Sequence, residues 1–155
     1  PQREALLTLT LVNHPWLMDE LSEDIANIDF THKGLATFRD TLLGILANTD
    51  SAAPPLDSAA IRAQVHNLGF DKLLALIERT VTLRSDKFAS PEADRHAVEA
   101  GWRHTQLMHQ RDVGLQRALE AAVAIHDADQ TDANFARISE IKALMTKRVD
   151  LEDAS

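Results

Sequence analysis

A chain of 155 residues, 45% of them hydrophobic, can close one packed core and bury roughly 68 to 70% of the surface its unfolded form exposes. It has no cysteine, which removes disulfide scaffolds, thiolate catalysis and cysteine zinc sites and fits a reducing compartment. Sixteen basic against 24 acidic side chains leave a net charge of −8, against the profile of a duplex-coating DNA binder, and 5% aromatics with five glycines favour helices over sheets.

Leu6, Leu7, Leu9, Leu11 and Val12 make Arg3 to Asn13 a short, mostly apolar segment, stopped where Pro15 disfavours helical geometry at His14. No run of 18 apolar residues follows, and Pro1 to Pro15 lacks the basic flank and cleavage site of a secretory signal. The chain is therefore expected to be soluble, cytoplasmic and free of membrane. A start at Pro1 in place of Met reads as a piece of something longer.

Pro15 opens a second helix, in which Trp16, Leu17, Leu21, Ile25 and Ile28 recur at helical spacing and Asp19, Glu20, Glu23 and Asp24 cover the other side. A third helix is predicted from Lys33 to Ala47, capped by Thr31, with Leu35, Phe38, Leu42, Leu43, Ile45 and Leu46 on its core side. Asn48 to Asp57, with Pro54-Pro55, reads as an exposed loop. Asp57 or Ser58 then caps a short helix carrying Ile61, Val65 and Leu68, Gly69 ends it, and the next helix carries Leu73, Leu74, Leu76, Ile77 and Val81.

The pattern lapses from Leu83 to Ala89, and Ser90-Pro91 restarts it as an N-cap with proline at the first helical position. From Pro91 to about Asp129 nothing breaks a helix, so one of about 39 residues, roughly 58 Å long, is allowed. Its apolar stripe runs through Val98, Trp102 and Thr105, is interrupted at His109 to Asp112, with Gly114 just beyond, and resumes on a rotated face at Leu115, Leu119, Ala122 and Val123. The expected organisation is a helical bundle over 1–109 and a helical hairpin over 110–155, sharing a long helix over about 91–129.

Ala128 to Thr131 is a polar turn, and Thr131 or Asp132 caps a final helix from about Ala133 to Val149. On it Phe135, Ile138, Met145 and Val149 fall within about 80° of each other, and Ile141 and Leu144 extend the apolar arc to roughly 180°. A two-helix hairpin needs less, so the surplus arc points to a docking surface.

The chain contains no Gly-x-Gly-x-x-Gly, phosphate loop, His-Glu-x-x-His, Gly-x-Ser-x-Gly or Glu-x-x-His pattern. Asp127-Ala-Asp129 opens like a calcium loop, but the sixth position would be Asp132 and the twelfth Ile138, so a solvated turn is the better reading. None of the seven histidines (His14, His32, His66, His96, His104, His109, His126) forms an i, i+4 pair. Trp16 and Trp102 sit in apolar stripes, as core anchors do. The physical reading is an all-α, noncatalytic interaction domain that needs no metal or cofactor.

The opening Arg3-Glu-Ala-Leu-Leu-Thr-Leu-Thr-Leu-Val-Asn-His-Pro15 and Trp16-Leu-Met-Asp-Glu-Leu21 resemble the C-terminal helicase-binding domain of bacterial DNA primase. Phe38-Arg39-Asp40 before Leu42-Leu43, Thr82-Leu-Arg-Ser-Asp-Lys-Phe88, Gly101-Trp102-Arg103 and Asn134-Phe-Ala-Arg-Ile-Ser-Glu-Ile-Lys142 are similar to its alphaproteobacterial form. The resemblance spans nearly the whole chain and lies in the order and spacing of packing residues.

It implies an all-α, multi-helix bundle followed by a long helix and a C-terminal antiparallel hairpin that docks on the N-terminal domain of the hexameric replicative helicase and brings primase to the fork, where separate domains make RNA primers. With the surplus arc it places the helicase contact at Ile141, Leu144, Met145, Arg148 and Val149, with Arg137 and Lys142 at a polar rim. Some members also hold the acidic tail of single-stranded DNA-binding protein in a basic pocket near the domain's start, where this chain offers Arg3. A monomer without strong nucleic-acid binding of its own is expected. Two other readings stay open: the helicase's own N-terminal domain, which a downstream ATPase domain would mark, and a ligand-binding or catalytic bundle using His104 and His109.

Overall fold

The computed structural model describes residues 2–49 and 54–153; the side chains of 148–153 lie outside that description. Among the described residues there are seven α-helices and no strand: α1 (Gln2–Asn13), α2 (Trp16–Ala26), α3 (Lys33–Ala47), α4 (Ser58–Asn67), α5 (Asp71–Thr80), α6 (Arg95–Ala128) and α7 (Asp132–Asp153), with a 3-10 turn at Lys87–Ala89. The fold is all-α with a long helix. It divides into two compact units, Pro1–Leu107 and Met108–Ser155, and α6 contributes residues to both.

The first unit is built around α1, whose residues Glu4 to Asn13 are all buried. A helix apolar on nearly every side has no stable place except the middle of a bundle; α2, α3, α4, α5 and the 3-10 turn all pack on it. Its buried polar side chains are each satisfied. Thr8 and Thr10 donate back to the carbonyls of Glu4 and Leu6 at 2.7 and 2.8 Å. The Glu4 carboxylate accepts from the backbone N–H groups of Thr31 and His32 and from the Thr31 hydroxyl. Asn13 donates to the Ala89 carbonyl at 2.8 Å and accepts from Arg62 at 2.7 Å.

Trp102, fully buried on α6, reaches across to α1 and donates its indole N–H to the Leu7 carbonyl at 3.2 Å. Arg39 on α3 is buried too, and it closes the end of α2 by donating to the carbonyls of Ile25 and Ile28 at 2.9 Å each, where the helix dipole favours a cation. Its guanidinium also stacks on the Phe30 ring, 5.0 Å from the centroid.

The helix ends follow local chemistry in several places. Asp57 caps α4 by accepting from Ala60 N–H at 2.8 Å. Gly69 stands past the end of α4 at φ +85°, and the bonds from Gly69 N–H to His66 and from Phe70 N–H to Val65, both 3.0 Å, complete a Schellman motif. Two expectations need correction. The cap of α3 is His32 and not Thr31, because the Thr31 side chain and N–H are drawn to buried Glu4.

The second correction is that α6 begins at Arg95, not Pro91, and has 34 residues. Ser90-Pro91 forms a turn, Asp94 caps the helix by accepting from Ala97 N–H at 2.9 Å, and the Ser90 hydroxyl is given to Glu92, holding that carboxyl below the usual range. The carbonyls of Ala89 and Ser90 are taken by Asn13 and His14, each 76 positions away, so the segment is fastened to α1 before the helix can start.

Candidate protein-interaction surface

The second unit is an antiparallel hairpin of the C-terminal part of α6 and α7. Its turn is held by Thr131, whose hydroxyl accepts from Asn134 N–H at 3.1 Å as an N-cap, and by the Asn134 side-chain amide, which donates to the Asp129 carbonyl at 2.7 Å. Ala122, Ile138 and Ile141 form its buried centre, with Leu115, Ala118, Leu119 and Met145 packed around them.

That core corrects part of the expected contact set. Ile141 is only 1% exposed, so it holds the hairpin together and is not open to a partner, whereas Met145 packs against the same core and stays half-buried, with part of its surface accessible. Leu144 remains open at 53%, and Arg137 and Lys142 are exposed, Arg137 beside Glu140 at 3.4 Å. Arg148 and Val149 lie outside the described side chains.

Exposed apolar side chains missed by that set are Val123, Ile125 and Phe135. At 100° per residue, Phe135 and Leu144 fall roughly 90° to either side of the Ile138–Ile141–Met145 stripe, and Val123 and Ile125 flank the α6 stripe in the same way. In a right-handed antiparallel pair this puts Val123 with Phe135 on one flank, where the His126 and Phe135 rings lie 5.9 Å apart. Ile125 and Leu144 share the other. The same geometry divides the expected polar rim, placing Arg137 with Leu144 and Lys142 with Phe135. The signal for Ile125 lies in its own helix, where Val123 and Ile125 widen the apolar arc of α6 beyond its Leu115–Leu119–Ala122 stripe.

In the first unit, Arg3 is half-buried and engaged in an interaction of its own. Close to it in sequence, Ala5 forms the floor of a groove of about 290 Å³ lined by His32, Leu35, Leu73, Leu76, Ile77 and Thr80 from α3 and α5. Apart from His32 and Thr80 the lining is apolar. Thr80 gives its hydroxyl to the Leu76 carbonyl at 2.7 Å.

His104 is exposed and His109 buried, so the two are not presented to one ligand. Among the described residues, no group of three or more His, Asp or Glu side chains is placed to hold a metal ion, and Asp127 and Asp129 are both exposed at the hairpin turn. No described helix is long and apolar enough to cross a membrane. No protein-family model, curated protein or solved structure matches the chain.

Proposed function

We propose that this chain is a noncatalytic recruitment module that binds the N-terminal domain of a replicative hexameric helicase through its hairpin, as the primase domain it resembles does. The observation that carries the reading is the apolar surface of the second unit. Four large hydrophobic side chains, Val123, Ile125, Phe135 and Leu144, are 39 to 59% exposed around a core of three buried residues. Isolated exposed leucines are ordinary, but paired apolar flanks on a two-helix element are the form in which helices offer themselves to other helices.

The flank of Ile125, Arg137 and Leu144 is the contact face. It combines two aliphatic anchors with a guanidinium at their edge, the composition of an interface centre with a polar rim. The test is calorimetric titration of the purified chain, and of its Leu144→Asp variant, against a helicase N-terminal domain from the same source. Saturable binding that the substitution weakens supports the reading and its face. A folded chain that shows no heat of binding sinks it. Binding that Leu144→Asp leaves intact keeps the partner and moves the face.

A further inference from the structure

The two flanks of the hairpin differ in the sign of their charge. Set against the buried stripes at 100° per residue, Arg117, Arg137 and Lys147 turn to the side of Ile125 and Leu144, with Glu140 the acid among them. Glu120, Asp127 and Asp132 turn to the side of Val123 and Phe135, with Lys142 the cation among them. All are exposed. Nearer the stripes, Arg111 leans to the first side and Asp112 to the second, which continues the division. Some of this charge is already in use: Arg137 lies 3.4 Å from Glu140, Glu120 accepts from Gln116 at 3.3 Å, and Arg117 and Asp112 have interactions of their own. Surface contacts of this kind are worth about 1 kcal/mol or less, and they leave the sign of each flank unchanged.

A cationic flank is an exception in a chain whose net charge is −8. Its apolar anchors also have a counterpart on the reverse side: Ile125 and Leu144 are 57 and 53% exposed, Val123 and Phe135 39 and 59%. Each flank therefore offers what the other lacks. Like charges keep a flank from its own kind, and opposite charges draw it to the other.

We propose that the hairpin binds a second copy of this chain head to tail, the Ile125–Leu144 flank of one copy against the Val123–Phe135 flank of the next. The contact joins two different surfaces and leaves one of each open at the ends, so it continues as a stack and does not close at a dimer. About 16 residues from each helix make a face of roughly 24 by 20 Å, so each junction buries about 1,000 Å², at the lower edge of specific interfaces. Association is therefore weak, reversible and dependent on concentration, and the dilute chain is the monomer that its sequence suggests. The Leu144 side is also the one assigned to the helicase, so the two occupants exclude each other; the stack itself requires only this chain.

The test is sedimentation velocity of the whole chain from about 10 µM to 1 mM, in dilute buffer and in about 0.5 M salt, where exposed charges are screened. The expected result is a sedimentation coefficient that climbs past the dimer with concentration in dilute buffer and returns to the monomer in salt. Leu144→Asp spoils one flank and Phe135→Asp the other, so each variant alone stays monomeric. Mixed in equal amounts, they form a dimer and nothing larger, through the one intact flank that each retains. A wild-type chain that is monomeric at every concentration overturns the stack and leaves both flanks to other molecules. Either variant dimerising alone overturns it too, in favour of a symmetric pair of like flanks. Should an apolar variant lose its helical circular dichroism, two charge variants decide: Arg137→Glu weakens association, and Lys142→Glu, which makes the acidic flank more acidic, strengthens it. A shift in the same direction for both refutes the pairing.

Discussion

The ring of Phe88 lies directly over the backbone of Gly101: a Cβ built on that glycine would stand 2.2 Å from the ring's Cγ. The contact joins the 3-10 turn to α6 next to buried Trp102, and the missing side chain is what allows it. Glycine inside a helix costs about 1 kcal/mol relative to alanine, so a packing gain of at least that size has to offset it. Gly101→Ala is expected to destabilise the first unit by about 1 to 3 kcal/mol, the usual cost of overpacking. Chemical denaturation measures it, and Phe88→Leu in the same chain should recover part of the loss.

Asn13 joins three segments at once, giving its amide to Ala89 and receiving Arg62, which also binds Glu78 on α5 at 2.5 Å. Asn13→Ala leaves a buried carbonyl without its donor and a guanidinium with one partner fewer. The expected cost is about 1 to 3 kcal/mol. Hydrogen exchange should show the loss of protection concentrated at residues 87–93, and uniform loss across the unit would refute the local fastening described above.

Asp86 precedes the 3-10 turn, and partial burial pushes its carboxyl above the ordinary value. The folded state therefore holds this proton more tightly than the unfolded chain. The associated stability is present below the unfolded carboxyl's range, about pH 4, and is lost as pH rises through the raised folded value. At neutral pH the charged group is a burden. Asp86→Asn should be the more stable protein at pH 7, with the advantage shrinking as the pH is lowered towards 4. Thermal melts of both proteins across that range test the sign.

On the hairpin, neighbouring residues of α7 should separate by role. Ile141→Ala removes a side chain from the buried centre and should cost about 2 to 5 kcal/mol of hairpin stability. Leu144→Asp changes an exposed side chain, leaves the helical circular dichroism intact and, if the proposed face is right, weakens helicase binding by about thirtyfold or more, the scale of an interface hot spot. Phe135→Asp, on the opposite flank, is the paired control, with little expected change in affinity.

Much of the fold was legible where the deciding interactions are local. The Lys33–Ala47 bounds of α3, the Asp57 cap and the Gly69 stop follow from spacing and end chemistry within a few residues. Ser90-Pro91 misled because two carbonyls there answer to Asn13 and His14, a relation no window of sequence contains. Thr31 misled similarly, since a buried glutamate outcompeted the helix end for its hydroxyl. On the hairpin, the apolar arc of α7 was visible, but which of its residues face α6 was not. Ile141 and Leu144 differ by three positions and are equally apolar on paper; only the location of the partner helix separates core from surface.

The bond between Trp102 and the Leu7 carbonyl spans 95 positions. On a ribosome adding about 5 to 20 residues per second, α1 waits roughly 5 to 20 seconds between its own synthesis and that of the indole that caps its packing. During that interval one of the most apolar segments of the chain has no finished shelter. Early truncations within the first unit should therefore yield sticky, protease-sensitive fragments in which α1 lies open to a chaperone that holds short leucine-rich segments.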